Sequence, residues 1–280
     1  MIKSNKDKLE KGKKMDFKKK KKDGVIFALL IVIVISGALI LGRDKIFTSE
    51  ADNNIHLEDE SNVVTEGETE KASDNSEELE KLLNIKNNSL MMLVNRNNTL
   101  SSDYVPDELV LSEIDFVSYI ETRYLAKSTA EAAKAMFEAA KEDGITLLGA
   151  SGYRSYEVQE SLYNSRVVNE GQEEADRYTA KPGQSEHQTG LALDILSEDY
   201  QDMNDNFDST EAYAWLKENC YKYGFILRYM KGKENITGFL YEPWHYRYIG
   251  NSEVAKEIMD RNLTFEQYIE ELDAKIQELS

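Results

Sequence analysis

Hydrophobic residues are spread unevenly along the chain, and the longest apolar stretch lies near the start. GVIFALLIVIVISGALILG, from Gly24 to Gly42, is an unbroken apolar run without a charged residue. As an α-helix this run would be about 28 Å long at a rise of about 1.5 Å per residue. That length is close to the roughly 30 Å hydrocarbon thickness of a bilayer. The run therefore predicts a transmembrane helix.

The residues that flank this run predict how it crosses the membrane. Five consecutive lysines, Lys18–Lys22, precede it, and positive charge is retained on the cytoplasmic side. We therefore expect residues 1–23 to form a basic cytoplasmic tip, residues 24–42 a single-pass anchor, and the remainder to be extracellular. The small residues Ser36–Ala38 leave a cleaved secretory signal as the alternative, although the apolar run continues past them. The body of the protein is extracytoplasmic in either case.

Residues 43–82 show a different pattern, in which polar residues dominate. The segment is rich in Glu, Asp, Asn and Ser and has no cluster of aromatic residues. Such a composition buries too little apolar surface to offset the loss of chain entropy on folding. We therefore expect a flexible, self-repelling stalk, and His56 within it to be inert.

From residue 83 to residue 280 the pattern is that of a folded domain. In STAEAAKAMFEAAKEDG (128–144), apolar residues recur at helical spacing between a Ser/Thr cap and a closing glycine. The helices predicted in this way are 128–144, 155–171, 209–224, 251–262 and 264–279. The predicted strands are 145–151, the end of 185–195, 225–229 and 244–250, with 89–95 as an early strand or extended entry. Because the links between the later strands are short, we predict an α+β fold with an antiparallel sheet and flanking helices.

Charge and cysteine content narrow the possible functions. Residues 1–23 contain eleven lysines and four acidic residues, a net charge of +7. Because the net charge of the whole chain is −18, the remaining residues carry a net charge of −25. Phosphates would repel this acidic body, so we expect no nucleic-acid partner. The single cysteine, Cys220, excludes an internal disulfide framework. It lies in a predicted helix, where a buried, inert thiol is expected.

Two of the three histidines lie in segments that read as strands or their entries. Side chains alternate between the two faces of a strand. In SEHQTGLALDI (185–195) this alternation places Leu193 toward the core and Asp194 on the opposite face, beside the small residues Gly190 and Ala192. The strand WHYRYIG (244–250) repeats the pattern. Trp244, Tyr246 and Tyr248 share one face, and His245 and Arg247 share the other.

Two strands that each offer a ligand-type side chain could bring His187, Asp194 and His245 to one ion. Two imidazoles and one carboxylate are the ligand set of catalytic zinc, which leaves a fourth position for water. A nearby carboxylate can then take the proton of that water, and Glu242, three residues before His245, is suitably placed. The alternative is that both histidines are hydrogen-bonded structural residues and Asp194 caps a loop. Spacing alone leaves both interpretations open.

Three motifs, in this order, resemble a known family: SGYRS (151–155), SEHQTGLALDI (185–195) and YEPWHYRYIG (241–250). They are similar to those of the zinc D-alanyl-D-alanine carboxypeptidases of the vancomycin-resistance type, a family that also includes L,D-carboxypeptidases of peptidoglycan stem peptides. The resemblance covers roughly residues 88–260, and no metal or base position departs from it. It implies the zinc carboxypeptidase fold. Hedgehog-like domains resemble this fold, but that likeness is an analogy of fold and implies no shared function.

The resemblance also implies roles for individual residues. His187, Asp194 and His245 would bind one Zn²⁺, and Glu242 would be the general base. Arg154 would face the scissile carbonyl and the terminal carboxylate. Gln159 and Ser185 would contact the C-terminal D-alanine.

Each of these polar residues also has a simpler interpretation. Arg154 could be a structural ion-pair partner, Gln159 a solvated helix residue and Ser185 a loop cap. Arg247 could brace a ligand or contact substrate.

The implied activity is removal of the terminal D-alanine from peptidoglycan stem peptides by a membrane-anchored zinc enzyme. Cleavage of D-Ala-D-Ala competes with L,D-cleavage of tetrapeptides, and nothing local in the sequence decides between them. A catalytically silent peptidoglycan-binding module is a third possibility. Its hallmark would be loss of Glu242 or of a metal ligand, and neither is lost.

Overall fold

The computed structural model describes residues 66–120 and 123–280. The expected basic tip (1–23), membrane anchor (24–42) and first part of the stalk, including His56, lie outside the described residues. Within the described ranges, no helix is long and apolar enough to cross a membrane.

The described part of the chain is a mixed α/β structure with two antiparallel sheets. Its strands are β1 (Leu109–Leu111), β2 (Tyr124–Ala126), β3 (Leu147–Ser151), β4 (Ala192–Ser197), β5 (Phe225–Tyr229) and β6 (Glu242–Tyr248). Its helices are α1 (Glu66–Lys86), α2 (Lys127–Glu142), α3 (Tyr156–Glu170), α4 (Gln172–Tyr178), α5 (Glu211–Asn219), α6 (Glu234–Thr237), α7 (Ser252–Asp260) and α8 (Phe265–Leu279). Short 3-10 turns cover Ser89–Met91, Glu186–Thr189, Asp205–Ser209 and Cys220–Tyr223. The predicted α+β fold with antiparallel pairing is confirmed.

The larger sheet places the strands that carry the candidate chemistry next to each other. Its order is β3-β4-β6-β5, antiparallel throughout, and β1 pairs with β2 in a separate ribbon. In the register between β4 and β6, Asp194 lies directly opposite His245. The sequence predicted both strands, but only the sheet order shows that they are neighbours.

The predicted alternation of faces is confirmed by the packing of the sheet. Leu193, Ile195 and Tyr246 belong to one buried hydrophobic cluster with α2 and α5. A second cluster contains Ile226 and residues of α7 and α8 such as Phe265. The polar residues that alternate with these positions, such as Asp194 and His245, belong to neither cluster. They form the candidate site.

Several helix ends follow local capping chemistry. The Ser155 side chain accepts a hydrogen bond from the Val158 amide at the start of α3, and Thr264 and Gln267 form a reciprocal capping box at the start of α8. The predicted cap of 128–144 is wrong, because α2 already begins at Lys127 and its N-cap, Ala126, makes no side-chain hydrogen bond.

Two further predictions of secondary structure differ from the structure. The segment 89–95, expected to be extended, contains the 3-10 turn Ser89–Met91. The expected helix 209–224 ends at Asn219 and continues as a 3-10 turn that carries the buried Cys220. Burial raises the pKa of the Cys220 thiol to about 12, as expected for an inert thiol.

The predicted boundary between stalk and domain at residues 82–83 is wrong. Helix α1 runs from Glu66 to Lys86 without a break, and Leu82 within it is only 7% exposed and belongs to the cluster formed with α7 and α8. Ion pairs of Lys86 with Asp273 and of Glu78 with Lys275 join α1 to α8. The composition of this segment resembled disorder because a helix that buries one narrow face keeps the rest of its surface polar.

Candidate active site and metal centre

Three side chains on adjacent elements converge in a buried cluster. Asp194 comes from β4, His245 from β6, and His187 from the 3-10 turn that precedes β4. His187 Nε2 lies 3.4 Å from Asp194 Oδ2, and His245 Nδ1 lies 3.1 Å from Asp194 Oδ1. One ligand atom from each of the three residues lies within 4.8 Å of the other two. The structure thus brings together the three residues predicted to bind metal.

The turn Glu186–Thr189 is what aims His187 into this cluster. The Ser185 side chain accepts a hydrogen bond from the His187 amide at 3.4 Å at the start of the turn. Gly190 ends the turn in the left-handed region with φ 69°, and a Cβ there would lie 2.8 Å from the backbone nitrogen of Ala126. A residue without a side chain is therefore required at the end of the turn.

The two imidazoles present different nitrogens to the cluster. His187 Nδ1 lies 2.8 Å from the Gly152 carbonyl and donates to it, so Nε2 is the nitrogen that faces Asp194. His245 Nε2 lies 3.3 Å from Glu186 Oε2, so its Nδ1 faces Asp194. A hydrogen bond from the outer ring nitrogen is how proteins commonly orient a ligand imidazole.

The electrostatics of the cluster fit a cation. Burial would raise the pKa of Asp194, but His187 and His245 hold it well below its usual range, so the residue is an anion. Its buried Oδ1 lies 3.1 Å from His245 Nδ1, but the angles are not those of a hydrogen bond, and no other described residue donates to it. Burial lowers the pKa of His187, which favours the neutral, ligating form. Burial also acts to lower the pKa of His245, but Asp194 and Glu186 raise it to about 9, so a metal must displace the proton on Nδ1. A buried acceptor without a hydrogen bond, next to two imidazole nitrogens, is the donor set expected for zinc.

Glu242 lies beside this cluster, at the start of β6. Its Oε2 is 3.6 Å from His245 Nδ1, and its side chain is 24% exposed toward the cavity. Burial raises the pKa of Glu242 to about 7, against the opposing effect of His245. A carboxylate with a pKa near neutrality and an open path to the cavity can accept and return a proton.

Arg154 and Gln159 form a hydrogen-bonded pair in the same cavity. Arg154 Nη1 donates to Gln159 Oε1 at 2.8 Å, and Nη2 donates to Ser151 Oγ at 3.0 Å. Gln159 Nε2 donates to the Ala180 carbonyl at 2.6 Å. Because Gln159 is only 1% exposed, the alternative of a solvated helix residue is wrong. The Arg154 guanidinium is held in a fixed orientation.

A cavity of about 380 Å³ connects these residues. It is lined by residues of α3 and α4 and by Arg154, Ser185, Glu242 and the three predicted ligands, and Gln159 is among the α3 residues. Ser185 therefore both caps a turn and faces the cavity. All seven site residues selected from the sequence lie around one space.

Glu186 lies between Ser185 and His187, was not selected from the sequence, and contacts the side of His245 that faces away from Asp194. Its carboxylate is fully buried and accepts hydrogen bonds from Arg228 Nε at 2.8 Å and Arg247 Nη1 at 2.9 Å. Burial would raise the pKa of Glu186, but the two guanidinium groups hold it well below its usual range. Glu186 is thus an anion that accepts the outer N–H of His245.

Arg247 and Arg228 extend this network to the rest of the domain. Arg247 Nη2 donates to the carbonyls of Leu90 and Met92, 2.8 Å from each. Arg228 forms two hydrogen bonds with Glu266 in the first turn of α8, at 2.8 and 2.6 Å. Of the two roles considered for Arg247, the structure shows the brace. The sequence did carry a signal for this network, namely an arginine within each of the two apolar strands FILRY and WHYRY. A buried guanidinium requires a carboxylate partner, so such arginines predict a buried acid.

The sequence that forms this site is similar to that of known carboxypeptidases. The sequence model of the VanY family, described as D-alanyl-D-alanine carboxypeptidase, matches residues 122–251. The chain is 44% identical to the putative carboxypeptidase YodJ of Bacillus subtilis over 69% of this chain and 71% of that protein. It is 37% identical to a D-alanyl-D-alanine carboxypeptidase of Enterococcus faecalis over 64% of this chain and 65% of that one.

Two solved structures show the same architecture. The LdcB LD-carboxypeptidase is 45% identical, with a TM-score of 0.61 over 65% of this chain and 86% of that one. The vancomycin-resistance D,D-pentapeptidase VanY in complex with Zn(II) is 35% identical, with a TM-score of 0.53 over 64% of this chain and 98% of that one.

Proposed function

We propose that this chain, which belongs to the VanY family of D-alanyl-D-alanine carboxypeptidases, is a zinc-dependent carboxypeptidase that removes the C-terminal D-alanine from peptidoglycan stem peptides. The observation that carries the proposal is the buried cluster of His187, Asp194 and His245 with Glu242 beside it. Arg154 lines the same cavity as a fixed cation for the substrate.

Zinc is the metal that best matches the cluster. Two imidazole nitrogens and one carboxylate oxygen are a common catalytic zinc set, and the unpartnered Asp194 Oδ1 supplies the acceptor. When bound, the ion supplies a Lewis acid that polarises the scissile carbonyl and lowers the pKa of water.

The chain's own residues then perform the proton transfers and bind the substrate. Glu242, in its carboxylate form, accepts a proton from the attacking water and returns it to the leaving amine of D-alanine. Two of the five N–H donors of Arg154 are engaged by Gln159 and Ser151. The guanidinium is thereby oriented toward the terminal carboxylate and the charge that develops on the scissile carbonyl. Glu242 must be ionised to accept this proton.

Two peptide bonds fit this description, and each has its own support. The family description, and the relatives named for it, favour the bond between two D-alanines. The 45% identity to an LD-carboxypeptidase favours the bond between an L-centre and D-alanine in tetrapeptides. We propose D,D-cleavage as the family activity and L,D-cleavage as the second candidate.

The location of the enzyme is also a proposal. The apolar run Gly24–Gly42 and the preceding lysines support a single-pass anchor with the catalytic domain outside, where peptidoglycan is the partner. No nucleic-acid partner is proposed, because the body of the chain is acidic.

The decisive experiment is incubation of the full-length chain with muropeptides ending in D-Ala-D-Ala or in L-Lys-D-Ala, followed by mass spectrometry. We expect loss of one alanine, which stops after a chelator and is absent from Glu242→Gln. Peptide binding without any release would instead support the silent binding module. Release that persists in metal-free protein would contradict the zinc mechanism.

A further inference from the structure

The 3-10 turn that carries His187 is tied to three separate parts of the chain by its own side chains. Glu186 accepts hydrogen bonds from guanidinium groups of β5 and β6, and His187 Nδ1 donates to the Gly152 carbonyl. Gln188, the next residue, makes the third tie. Hydrogen bonds within a turn shape it, but only contacts with other segments fix where its side chains lie.

The Gln188 side chain connects this turn to a segment that precedes β1. It is completely buried and is not among the residues that line the cavity. Its Nε2 donates to the carbonyls of Ser101 at 2.9 Å and Tyr104 at 3.2 Å, which lie 87 and 84 residues earlier in the chain. Both carbonyls belong to one turn, which the Tyr104 amide closes by donating to the Ser101 carbonyl at 3.1 Å. Both N–H groups of the Gln188 amide therefore have an acceptor.

The same two segments meet at a second point, just before the site turn begins. The Leu100 amide donates to the Gly183 carbonyl at 2.7 Å. Gly183 has φ 82°, and a Cβ there would lie 2.6 Å from the Leu100 carbonyl oxygen, so the close approach requires glycine. Residues 100–104 are therefore held directly beside residues 183–188.

The third polar atom of Gln188 makes the side chain a poor source of stability. Among the described residues, its buried Oε1 has no hydrogen-bond partner. A buried acceptor without a donor is unfavourable and offsets much of what the two hydrogen bonds contribute. An apolar side chain of the same length would avoid that cost but could not hold the Ser101–Tyr104 turn. The contribution of glutamine at this position is therefore orientation rather than stability.

We propose that Gln188 is a positioning residue for the metal site. By holding the site turn against the Ser101–Tyr104 turn, it keeps His187 Nε2 facing Asp194 before a metal binds. Because Gln188 lies outside the cavity, it acts on the ion only through His187. The inference rests on the proposed function for its metal, although the tie itself is present in the metal-free protein.

The test is the zinc affinity of full-length Gln188→Met, measured by competition with a chromogenic chelator. Methionine keeps the length of the side chain and removes both donors together with the unpartnered oxygen, so the guanidinium unfolding midpoint of the metal-free protein should change little. Zinc should nevertheless bind about tenfold more weakly, at the lower end of the effect of groups that orient a ligand, because Gln188 acts through its neighbour. Gln184→Met is the matched control and should bind zinc like the wild type. Gln184 Nε2 also donates to a carbonyl of the segment before β1, that of Arg96 at 3.3 Å, but Gln184 precedes the turn.

Wild-type zinc affinity in Gln188→Met would overturn the proposal, whether or not its midpoint falls, and so would an equal loss of affinity in Gln184→Met. If Gln188→Met does not fold, Gln188→Asn replaces it, because asparagine keeps the amide but is shorter by one methylene. If the wild type binds no zinc, the proposed metal site has failed, and Gln188 is then judged by hydrogen exchange of the metal-free protein. Faster exchange of the amides of residues 187–191 in Gln188→Met than in the wild type and Gln184→Met would still support the positioning role, and equal exchange would refute it.

Discussion

Replacing Glu186 by glutamine tests whether the network behind the site stabilises the fold and prepares His245. The substitution keeps the shape of the side chain and removes its charge. Glu186 accepts from Arg228 at 2.8 Å, from Arg247 at 2.9 Å and from His245 at 3.3 Å, and the three partners are almost completely buried. The variant leaves Arg228 with Glu266 as its remaining carboxylate partner, and Arg247 with backbone carbonyl acceptors alone.

The expected loss can be estimated from this burial. Removing one partner of a buried ion pair costs about 3–5 kcal/mol, because an uncompensated charge stays in a low-dielectric interior. A domain is stable by about 5–15 kcal/mol in total, so the variant should fold but unfold at a clearly lower denaturant concentration. The affinity for zinc should also fall by about 10–100-fold, because the outer N–H of His245 then has a neutral amide in place of an anionic acceptor.

The pH dependence of the stability difference distinguishes the loss of this charge from a general packing defect. Because the pKa of Glu186 is held well below its usual range, the stabilisation is present above the unfolded pKa of about 4.3 and is lost as the pH falls. The gap in stability between wild type and Glu186→Gln should therefore narrow in acid.

The assay is guanidinium unfolding of both proteins with a chelator present, so that metal binding does not contribute. The matched control is Glu257→Gln, which breaks an exposed pair with Arg261 and should leave the unfolding midpoint almost unchanged. Equal midpoints for Glu186→Gln and Glu257→Gln, or a stability gap independent of pH, would refute the reasoning.

Four further predictions concern the metal, the base, the first helix and the membrane. Replacing any one of the three predicted ligands by alanine should lower zinc content, measured by elemental mass spectrometry; full zinc occupancy in such a variant would remove that residue from the ligand set. Glu242→Gln should keep its zinc and lose about 10²–10⁴-fold in kcat, because only proton transfer is removed; loss of zinc would make Glu242 a ligand instead. A chain that starts at residue 83 should melt at a lower temperature than one that starts at residue 66, because it lacks the buried Leu82, whose burial is worth about 1.5–3 kcal/mol; equal melting temperatures would show that α1 is dispensable. Protease added to intact wall-stripped cells should release an active fragment that begins within residues 43–65, and a domain protected until lysis would invert the proposed orientation.

Local sequence patterns were sufficient for most of the main fold. Alternation along the segments that became β4 and β6 separates Leu193 and Tyr246 from Asp194 and His245, because side chains of a strand must point to opposite faces. Helical spacing located α3, α7 and α8 to within a few residues. The motifs that carry the family resemblance contain six of the seven residues that the structure places around one cavity, and the resemblance also implied the seventh, Gln159.

The patterns failed where one element depends on a distant one. The polar composition of residues 66–82 suggested a flexible chain, because the face of α1 that packs on α8 is narrow and its partners lie near the C-terminus. The sequence likewise did not show that Leu162 of α3 and Tyr178 of α4, each 46% exposed, line the same cavity as Gln159, because that depends on how the two helices pack.

The sequence by itself determined which side chains could do chemistry and which strand face would carry them, because those properties depend on residue type and on a period of two or 3.6 residues. Only the tertiary structure decided how these side chains are held. Glu186 meets Arg228, Arg247 and His245 across separations of 42, 61 and 59 residues, and no local period encodes such partners. A buried carboxylate and two buried guanidinium groups are stable only as a set, so their roles emerge when the chain has closed around them.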